Sequence, residues 1–199
     1  MTELEIKEKN AEYTERQRYW RDKVFNQMSY SINLFLTIGF GLMGFMISQK
    51  KDYSNWVIDT SNDFNFSVIF FYITMIITFI TIIIGTVSVT SRLFDLRLTS
   101  HIIKIRKKTL KKFKDVLTDD FPPENKEKPL TKYFEVMFGK DYRISDTEFL
   151  NLDFKKIEEK FLYLRGLTRK FGRLSWTTHK IQIGMTLISV LIYGFLIFK

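Results

Sequence analysis

An uncharged stretch of 28 residues, from position 64 to position 91, constrains the fold of this chain more than any other feature. It reads FNFSVIFFYITMIITFITIIIGTVSVTS and is rich in Ile and Phe. A helix needs about 20 apolar residues to cross the hydrocarbon core of a bilayer. The stretch therefore predicts a membrane-spanning helix.

The next segment, residues 92–118, is strongly basic. It contains nine Lys or Arg and two acids, and neither Pro nor Gly interrupts it. Pro and Gly are the residues that most often end a helix. We therefore expect one long helix that leaves the membrane and continues as a basic amphipathic helix.

Two further uncharged stretches, residues 24–49 and 181–198, are also long enough to span a bilayer. The sequence thus predicts an all-α integral membrane protein with three transmembrane helices. The chain has no Cys, which excludes disulfides and Cys-based metal sites. We expect an N-terminal amphipathic helix (1–23), a transmembrane hairpin (24–91, with spans 24–49 and 64–91), a cytoplasmic helical domain (92–180) and a third span (181–199).

Basic residues orient this topology. The loop at 50–63 holds two Lys, against six Lys or Arg before the hairpin and nine directly after it. Cytoplasmic segments are the ones enriched in Lys and Arg. The N-terminus and residues 92–180 are therefore expected in the cytoplasm and the C-terminus outside. The Ile-, Lys-, Phe- and Asn-rich composition is typical of a low-GC bacterium, so the membrane is the bacterial inner membrane.

The cytoplasmic domain is predicted to be coiled-coil-like, formed by extensions of the second and third spans. Ser145 with Glu148 indicates a capping box that opens a helix over 146–179, with Gly166 and Gly172 as weak points. An insert at 118–145 joins this helix to the basic one, and residues 130–138 within it suggest a short helix stopped by Gly139. The two apolar stripes expected to pair antiparallel are Leu98, Ile102, Ile105, Leu110, Phe113, Val116 and Leu117, and Leu150, Phe154, Ile157, Phe161, Leu164, Leu167 and Phe171.

Each predicted span carries small or hydroxyl residues on one face. The pattern indicates either close packing between helices or, in a homo-oligomer, a narrow hydroxyl-lined pore. The sequence does not decide which of the first two spans lines it. The predicted pore-lining residues are Thr74, Thr78, Thr81 and Ser88, then Asn33. The full stripe of the first span is Ser29, Asn33, Thr37, Gly41, Gly44 and Ser48, and that of the third is Gln182, Thr186, Ser189 and Tyr193.

The basic helix allows three interpretations. Its cations can lie against anionic lipid headgroups, bind an anionic ligand, or pair with the acidic segment 119–153. The residues farthest from the membrane favour the last two. The predicted signal-binding residues are Lys104, Arg106, Lys107, Lys108, Lys111 and Lys112.

No catalytic constellation is present in the sequence. His101 and His179 lie on separate basic segments without nearby acids at metal-ligand spacing. Nucleophile elbows, HExxH motifs and phosphate-binding glycine loops are also missing from the sequence. We therefore predict neither an enzyme nor a cofactor or metal site.

The order of motifs resembles the SLATT group of small bacterial membrane proteins. It comprises Tyr13-x-x-Arg16-x-Arg18-Tyr19-Trp20, a membrane hairpin with a short outer loop, and a basic extension with Arg92-x-x-x-x-Arg97-x-x-x-His101. The resemblance implies a pore-forming effector of CBASS-like antiviral defence. A nucleotide or oligonucleotide signal, made by a co-encoded sensor or nucleotidyltransferase, would open the pore and arrest the infected host. The N-terminal helix is a candidate gate, and a non-conducting scaffold that recruits a cytoplasmic partner is the alternative.

Overall fold

The computed structural model of the chain describes residues 3–49, 66–118 and 128–197. These residues are helical and contain no strand, so the predicted all-α fold is confirmed. The loop predicted at 50–63 and residues 119–127 of the predicted insert lie outside the described residues. The helices are α1 (Glu3–Ser48), α2 (Phe66–Phe113), α3 (Pro129–Met137), α4 (Asp146–Asn151) and α5 (Phe154–Ile197).

Two of these helices, α2 and α5, are long and apolar enough to cross a membrane. Helix α1 carries a shorter apolar stretch, Thr37–Ser48. The assignment of α2 and α5 as candidate spans rests on the length and composition of these helices. The predicted span at 24–49 therefore stays a prediction.

The basic segment continues α2 without a break as far as Phe113, because α2 is one helix of 48 residues. Residues 114–118, which the predicted basic helix included, lie beyond its end, and Lys114 has a positive φ of 55°. Helix α1 is also continuous, over 46 residues. The predicted N-terminal helix (1–23) and the predicted first span (24–49) therefore belong to one helix, because no helix end lies at position 23. No Pro or Gly precedes Gly39 in this part of the sequence, so nothing local ends the helix there.

The predicted helix over 146–179 is wrong in one respect. The helix begins at Asp146 as expected. The Ser145 hydroxyl accepts a hydrogen bond from the Glu148 amide at 3.1 Å and completes a capping box. The helix then ends at Asn151, and Leu152 has an extended backbone. Asp153 caps a new helix, since its carboxylate accepts from the Lys156 amide at 2.8 Å. The break therefore comes from a local N-cap, and both predicted weak glycines lie inside α5.

The chain divides into two compact units. The charged unit comprises Met1–Met28 and Thr90–Ser175, and the apolar unit comprises Ser29–Val89 and Trp176–Lys199. Each unit takes residues from α1, α2 and α5.

The core of the charged unit includes most of the two predicted stripes, together with residues such as Tyr13 and Ile103. The ring centroids of Phe94 and Phe171 lie 5.7 Å apart, as do those of Phe113 and Phe154. These contacts show that α2 and α5 run antiparallel. Leu150, which the prediction placed in the stripe, is exposed because α4 ends there. The buried members are Leu98, Ile102, Ile105, Leu110, Leu117, Ile157, Phe161, Leu164, Leu167 and Phe171.

The apolar unit has the opposite distribution of side chains. Its buried residues include hydroxyls, whereas many of its large apolar side chains are exposed. This arrangement is typical of helices surrounded by hydrocarbon, where apolar surface needs no cover and polar groups do. Met46, Phe71 and Tyr193 form a small buried apolar cluster. The buried hydroxyl residues include Thr74, Thr78, Thr81, Ser88 and Ser189, and the exposed apolar residues include Ile76, Phe79, Ile83, Ile183, Leu187 and Leu191.

Candidate functional site

The hydroxyl stripe of α2 lies in the interior of the apolar unit. Thr74, Thr78, Thr81 and Ser88 are all buried there. Three of the hydroxyls donate to carbonyls of their own helix: Thr74 to Phe70, Thr78 to Thr74 and Thr81 to Ile77, at 2.7 to 2.8 Å. Such bonds satisfy a hydroxyl in a water-poor environment. A path lined by this stripe therefore lies within one chain, and its pore-lining role stays a prediction.

Part of this stripe borders a cavity of about 210 Å³, which we call the polar groove. All three long helices of the apolar unit contribute to it. The structure brings Thr78 and Thr81 together with polar residues of α5, whereas Thr74 and Ser88 do not line the groove. The polar lining is Thr78, Thr81, His179, Gln182, Thr186 and Ser189, and apolar residues such as Ile82 and Leu187 complete it.

The α5 side of the groove contains an unsatisfied hydroxyl. Ser189 is 2% exposed, and its hydroxyl has no hydrogen-bond partner within the described part of the chain. Its neighbours are bonded, because Thr186 donates to the Gln182 carbonyl at 2.8 Å and the Gln182 amide oxygen lies 3.3 Å from the His179 Nδ1. A buried hydroxyl without a partner costs about 1–3 kcal/mol. The groove therefore favours the entry of water or another polar group.

The stripe of α1 faces outward from the apolar unit. Thr37, Gly41, Gly44 and Ser48 are exposed, and a Cβ at either glycine would meet nothing within 4 Å. The close contact of α1 with α2 is instead at Gly39, where a Cβ would lie 3.1 Å from a side-chain carbon of Ile82. Asn33 belongs to α1, but its side chain lies outside the described residues.

Two of the predicted signal-binding lysines pair with one acid of the segment 119–153. Lys104 and Lys108 reach the Asp146 carboxylate at 3.3 and 2.5 Å. Lys108, and then Lys104, lower the pKa of Asp146 below its usual range. These contacts favour the acidic segment 119–153 as the partner of these two lysines.

The four other predicted residues differ in their surroundings. Lys112 donates to the carbonyls of Phe149, Leu150 and Leu152 at 2.8 to 3.2 Å, so it satisfies the carboxyl end of α4. Lys107 donates to the Thr14 hydroxyl at 2.9 Å, and Arg106 donates to the Thr118 carbonyl at 3.2 Å. Lys111 is exposed near the end of α2. Binding of a signal by these side chains stays a prediction.

His101 supports the insert. Its Nε2 accepts from the Ile144 amide at 3.0 Å, so the acceptor nitrogen carries no proton. Burial, followed by Lys104 and Arg143, lowers the pKa of His101 to about 4. Within residues 3–49, 66–118 and 128–197, no group of three His, Cys, Asp or Glu residues is placed to hold a metal ion.

Comparison with protein-family models, with curated proteins and with solved structures finds no match to this chain.

Proposed function

We propose that this chain is an oligomeric membrane protein whose apolar unit forms an ion-conducting path, opened by a trigger at the charged unit. The observation that carries the proposal is the polar groove in the apolar unit. A protein that only anchored itself in a bilayer would gain nothing from a buried hydroxyl without a partner.

The lining of the groove suits gating by dewetting. Threonine, serine and glutamine side chains alternate with Ile82, Ile183 and Leu187 around the same cavity. Narrow apolar constrictions exclude water, and a small widening wets them. The groove as described is the closed form, and opening brings water and ions to Thr78, Thr81 and Ser189.

Contact between copies is assigned to the outward stripe of α1. Small residues let membrane helices approach closely, and the spacing of Thr37, Gly41, Gly44 and Ser48 keeps them on one face. Their exposure in a single chain leaves this face available to a second copy. The homo-oligomer is part of the proposal, and so is the span predicted at 24–49, which lies in α1.

The biological setting follows from the resemblance to the SLATT group. It is abortive antiviral defence at the bacterial inner membrane, with a nucleotide or oligonucleotide as the signal. The charged unit, on the cytoplasmic side, is the part that meets the signal.

Depolarisation of bacteria tests the conducting path. Cells express the intact protein, Thr78→Leu or Thr86→Leu at equal membrane levels, and a potential-sensitive dye is read with and without a nucleotide extract from infected cells. Thr78 lines the groove, whereas Thr86 is exposed on the same helix, so Thr86→Leu is the matched control. We expect depolarisation that Thr78→Leu abolishes and Thr86→Leu preserves. Equal depolarisation by both variants would show that the groove does not line the conducting path.

Cross-linking in membranes tests the assembly. Gly41→Leu fills the outward face of α1 without a clash in the single chain, and Gly184→Leu does the same at an exposed site on α5. We expect Gly41→Leu to abolish the cross-linked oligomer and the ion flux, with Gly184→Leu unaffected. An intact oligomer in Gly41→Leu contradicts this assignment.

A non-conducting scaffold is the second candidate, and one observation favours it. The hydroxyls of Thr74, Thr78 and Thr81 are bonded within α2, as expected of a stripe that serves packing alone. The scaffold predicts that no trigger depolarises the cell.

A further inference from the structure

Helix α3 and its C-cap expose a cluster of large apolar side chains on the charged unit. We call this cluster the α3 face; its members are 50% to 86% exposed and are Leu130, Phe134, Met137 and Phe138. Their spacing places them on one side of the helix, and the rings of Phe134 and Phe138 stack with centroids 6.2 Å apart. Elsewhere in the described part of this unit, large apolar side chains are exposed singly, as at Leu150. An apolar cluster on a charged surface indicates a contact with lipid or protein.

The opposite side of α3 is held by the rest of the charged unit. Tyr133 is 3% exposed, and its hydroxyl lies 2.6 Å from the Thr90 hydroxyl of α2. Glu135 accepts a hydrogen bond from Lys140 at 2.8 Å and another from the Tyr142 hydroxyl. These bonds fix the orientation of α3, so the α3 face is kept outward.

The position of α3 along α2 coincides with the end of the uncharged stretch. Arg92 is the first charged residue after that stretch. The Tyr133 hydroxyl reaches Thr90, and the Tyr133 ring lies 5.9 Å from that of Phe94. Thr90 and Phe94 are each about 3 Å from Arg92 along the helix axis, because a helix rises about 1.5 Å per residue. The headgroup layer of a bilayer is roughly 5–8 Å thick on each side. Beside a membrane-spanning α2, helix α3 therefore lies at the depth of the lipid headgroups.

The chain that follows α3 runs away from this depth along α2. The Ile144 amide donates to His101, and the Leu150 carbonyl accepts from Lys112. Position 112 is 20 residues beyond Arg92, which corresponds to about 30 Å of helix. In the segment 128–153, α3 is thus the helix nearest to the uncharged stretch, whereas α4 is far from it.

We propose that the α3 face inserts into the adjacent leaflet of the membrane, at the boundary between headgroups and acyl chains. Interfacial helices bury their apolar side about 5–10 Å into this boundary. Lipid is the occupant because an outward apolar face at headgroup depth meets it in every copy of the chain. The inference rests on the proposed function for the membrane-spanning α2, and it does not depend on ion conduction.

Lipid quenching of a single fluorescent label tests the insertion. The chain has no Cys, so one can be introduced into the full-length protein and labelled with NBD in liposomes of phosphatidylethanolamine and phosphatidylglycerol. Leu130→Cys and Leu150→Cys are a matched pair, since both replace a leucine of the charged unit that is at least half exposed. Lipids with a doxyl group close to the headgroup are expected to quench position 130 roughly threefold more than position 150, in low and in high salt. Equal quenching at the two positions overturns the proposal.

Two further labels separate the possible failures. Met137→Cys reports on the α3 face independently of position 130, and Phe79→Cys, read with doxyl groups deep in the acyl chain, reports whether α2 lies in the bilayer. Quenching at 79 without quenching at 130 and 137 overturns this inference alone, and a disulfide between two copies of unquenched Leu130→Cys assigns the face to a second copy. No quenching at any of the three sites contradicts the membrane-spanning α2 as well. Quenching at 130 and 137 in a protein that conducts no ions supports this inference and contradicts the proposed pore.

Discussion

The charged unit and the apolar unit share three helices and follow opposite rules of burial. In the charged unit Phe161 and Phe171 are fully buried, and lysines such as Lys104 and Lys111 are exposed. In the apolar unit Thr74 is fully buried, whereas Phe79 and Ile76 are exposed. The polypeptide is continuous through α2, so the difference does not come from secondary structure. The contrast is the one expected of two parts that meet different solvents, water for one and hydrocarbon for the other.

The largest effect is expected from substitutions of two phenylalanines, one in each unit. Phe171→Ala removes a side chain with no exposure from the charged unit, and we expect it to lower the free energy of unfolding by about 3–5 kcal/mol. Phe79→Ala removes one that is 53% exposed in the apolar unit, and we expect a loss below about 1 kcal/mol. Denaturant titration of both variants in detergent micelles gives the values. Similar losses would contradict the proposed solvents.

His101 is expected to weaken the charged unit in acid, whereas Asp95 acts in the opposite direction because burial raises its pKa to about 6. The pKa of His101 is lowered to about 4 in the folded chain, against 6.5 for a free His. The neutral ring is therefore favoured by folding, and its contribution is complete above pH 6.5 and lost as the pH falls towards 4. The full shift corresponds to about 3 kcal/mol, and partial exposure reduces it.

Thermal melting of the full-length protein between pH 7 and pH 4 measures this loss. His101→Gln does not titrate at this position, so the intact protein is expected to lose melting temperature relative to His101→Gln as the pH falls from 7 to 4. An identical pH dependence in both proteins would assign the effect to other groups.

Two glycines of α1, Gly39 and Gly41, distinguish the inward face of this helix from its outward face in the apolar unit. Gly39→Leu forces a side chain against Ile82, where even a Cβ would lie at 3.1 Å, and overpacking costs about 1–3 kcal/mol. Gly41→Leu meets open space in the single chain and is expected to leave monomer stability unchanged. Unfolding of dilute protein in detergent compares them. Equal destabilisation would place both faces of α1 in the interior.

The hydroxyl of Ser189 reports whether the groove is dry. In a dry groove Ser189→Ala removes an unsatisfied polar atom and raises the free energy of unfolding by about 1 kcal/mol. Thr86→Ala, at an exposed site, is the control. The closed form proposed above predicts the increase. No change in Ser189→Ala indicates that water already satisfies the hydroxyl.

The smallest effect is expected at the surface of the charged unit. Asp146→Asn removes the carboxylate that Lys104 and Lys108 share, but Asp146 is well exposed. Exposed ion pairs contribute little and are screened by salt. We expect a slight fall in melting temperature in low salt that disappears in high salt. A large fall that persists in high salt would show that the pair does more than hold the insert.

Local signals in the sequence predicted the helices well. Gly139 ends α3 with a positive φ of 97°, and Ser145 with Glu148 caps α4. The break after Asn151 was missed, because the apolar stripe runs through it and Asp153 was not recognised as a second cap. Periodicity finds a face of a helix but does not tell what that face contacts.

The functional residues show the same limit. The stripes of α1 and α2 look alike in the sequence, yet Thr78 points inward and Gly41 outward. Lys112 is among the residues predicted to bind a signal, and the structure shows that it also caps α4 through backbone carbonyls that no sequence pattern displays. Arg165 is 59 positions after Arg106, and only folding brings both guanidinium groups to the Thr118 carbonyl.

The bond between Tyr193 and Gln49 has a consequence for synthesis. The tyrosine hydroxyl donates to the glutamine side chain at 2.6 Å, across 144 positions of the chain. A ribosome adding about 5–20 residues per second needs roughly 7–30 s to cover that distance. During this interval the nascent chain lacks Gln182, Thr186 and Ser189, so it holds only half of the groove. Under the proposed function, the conducting path is therefore complete only after α5 has been translated.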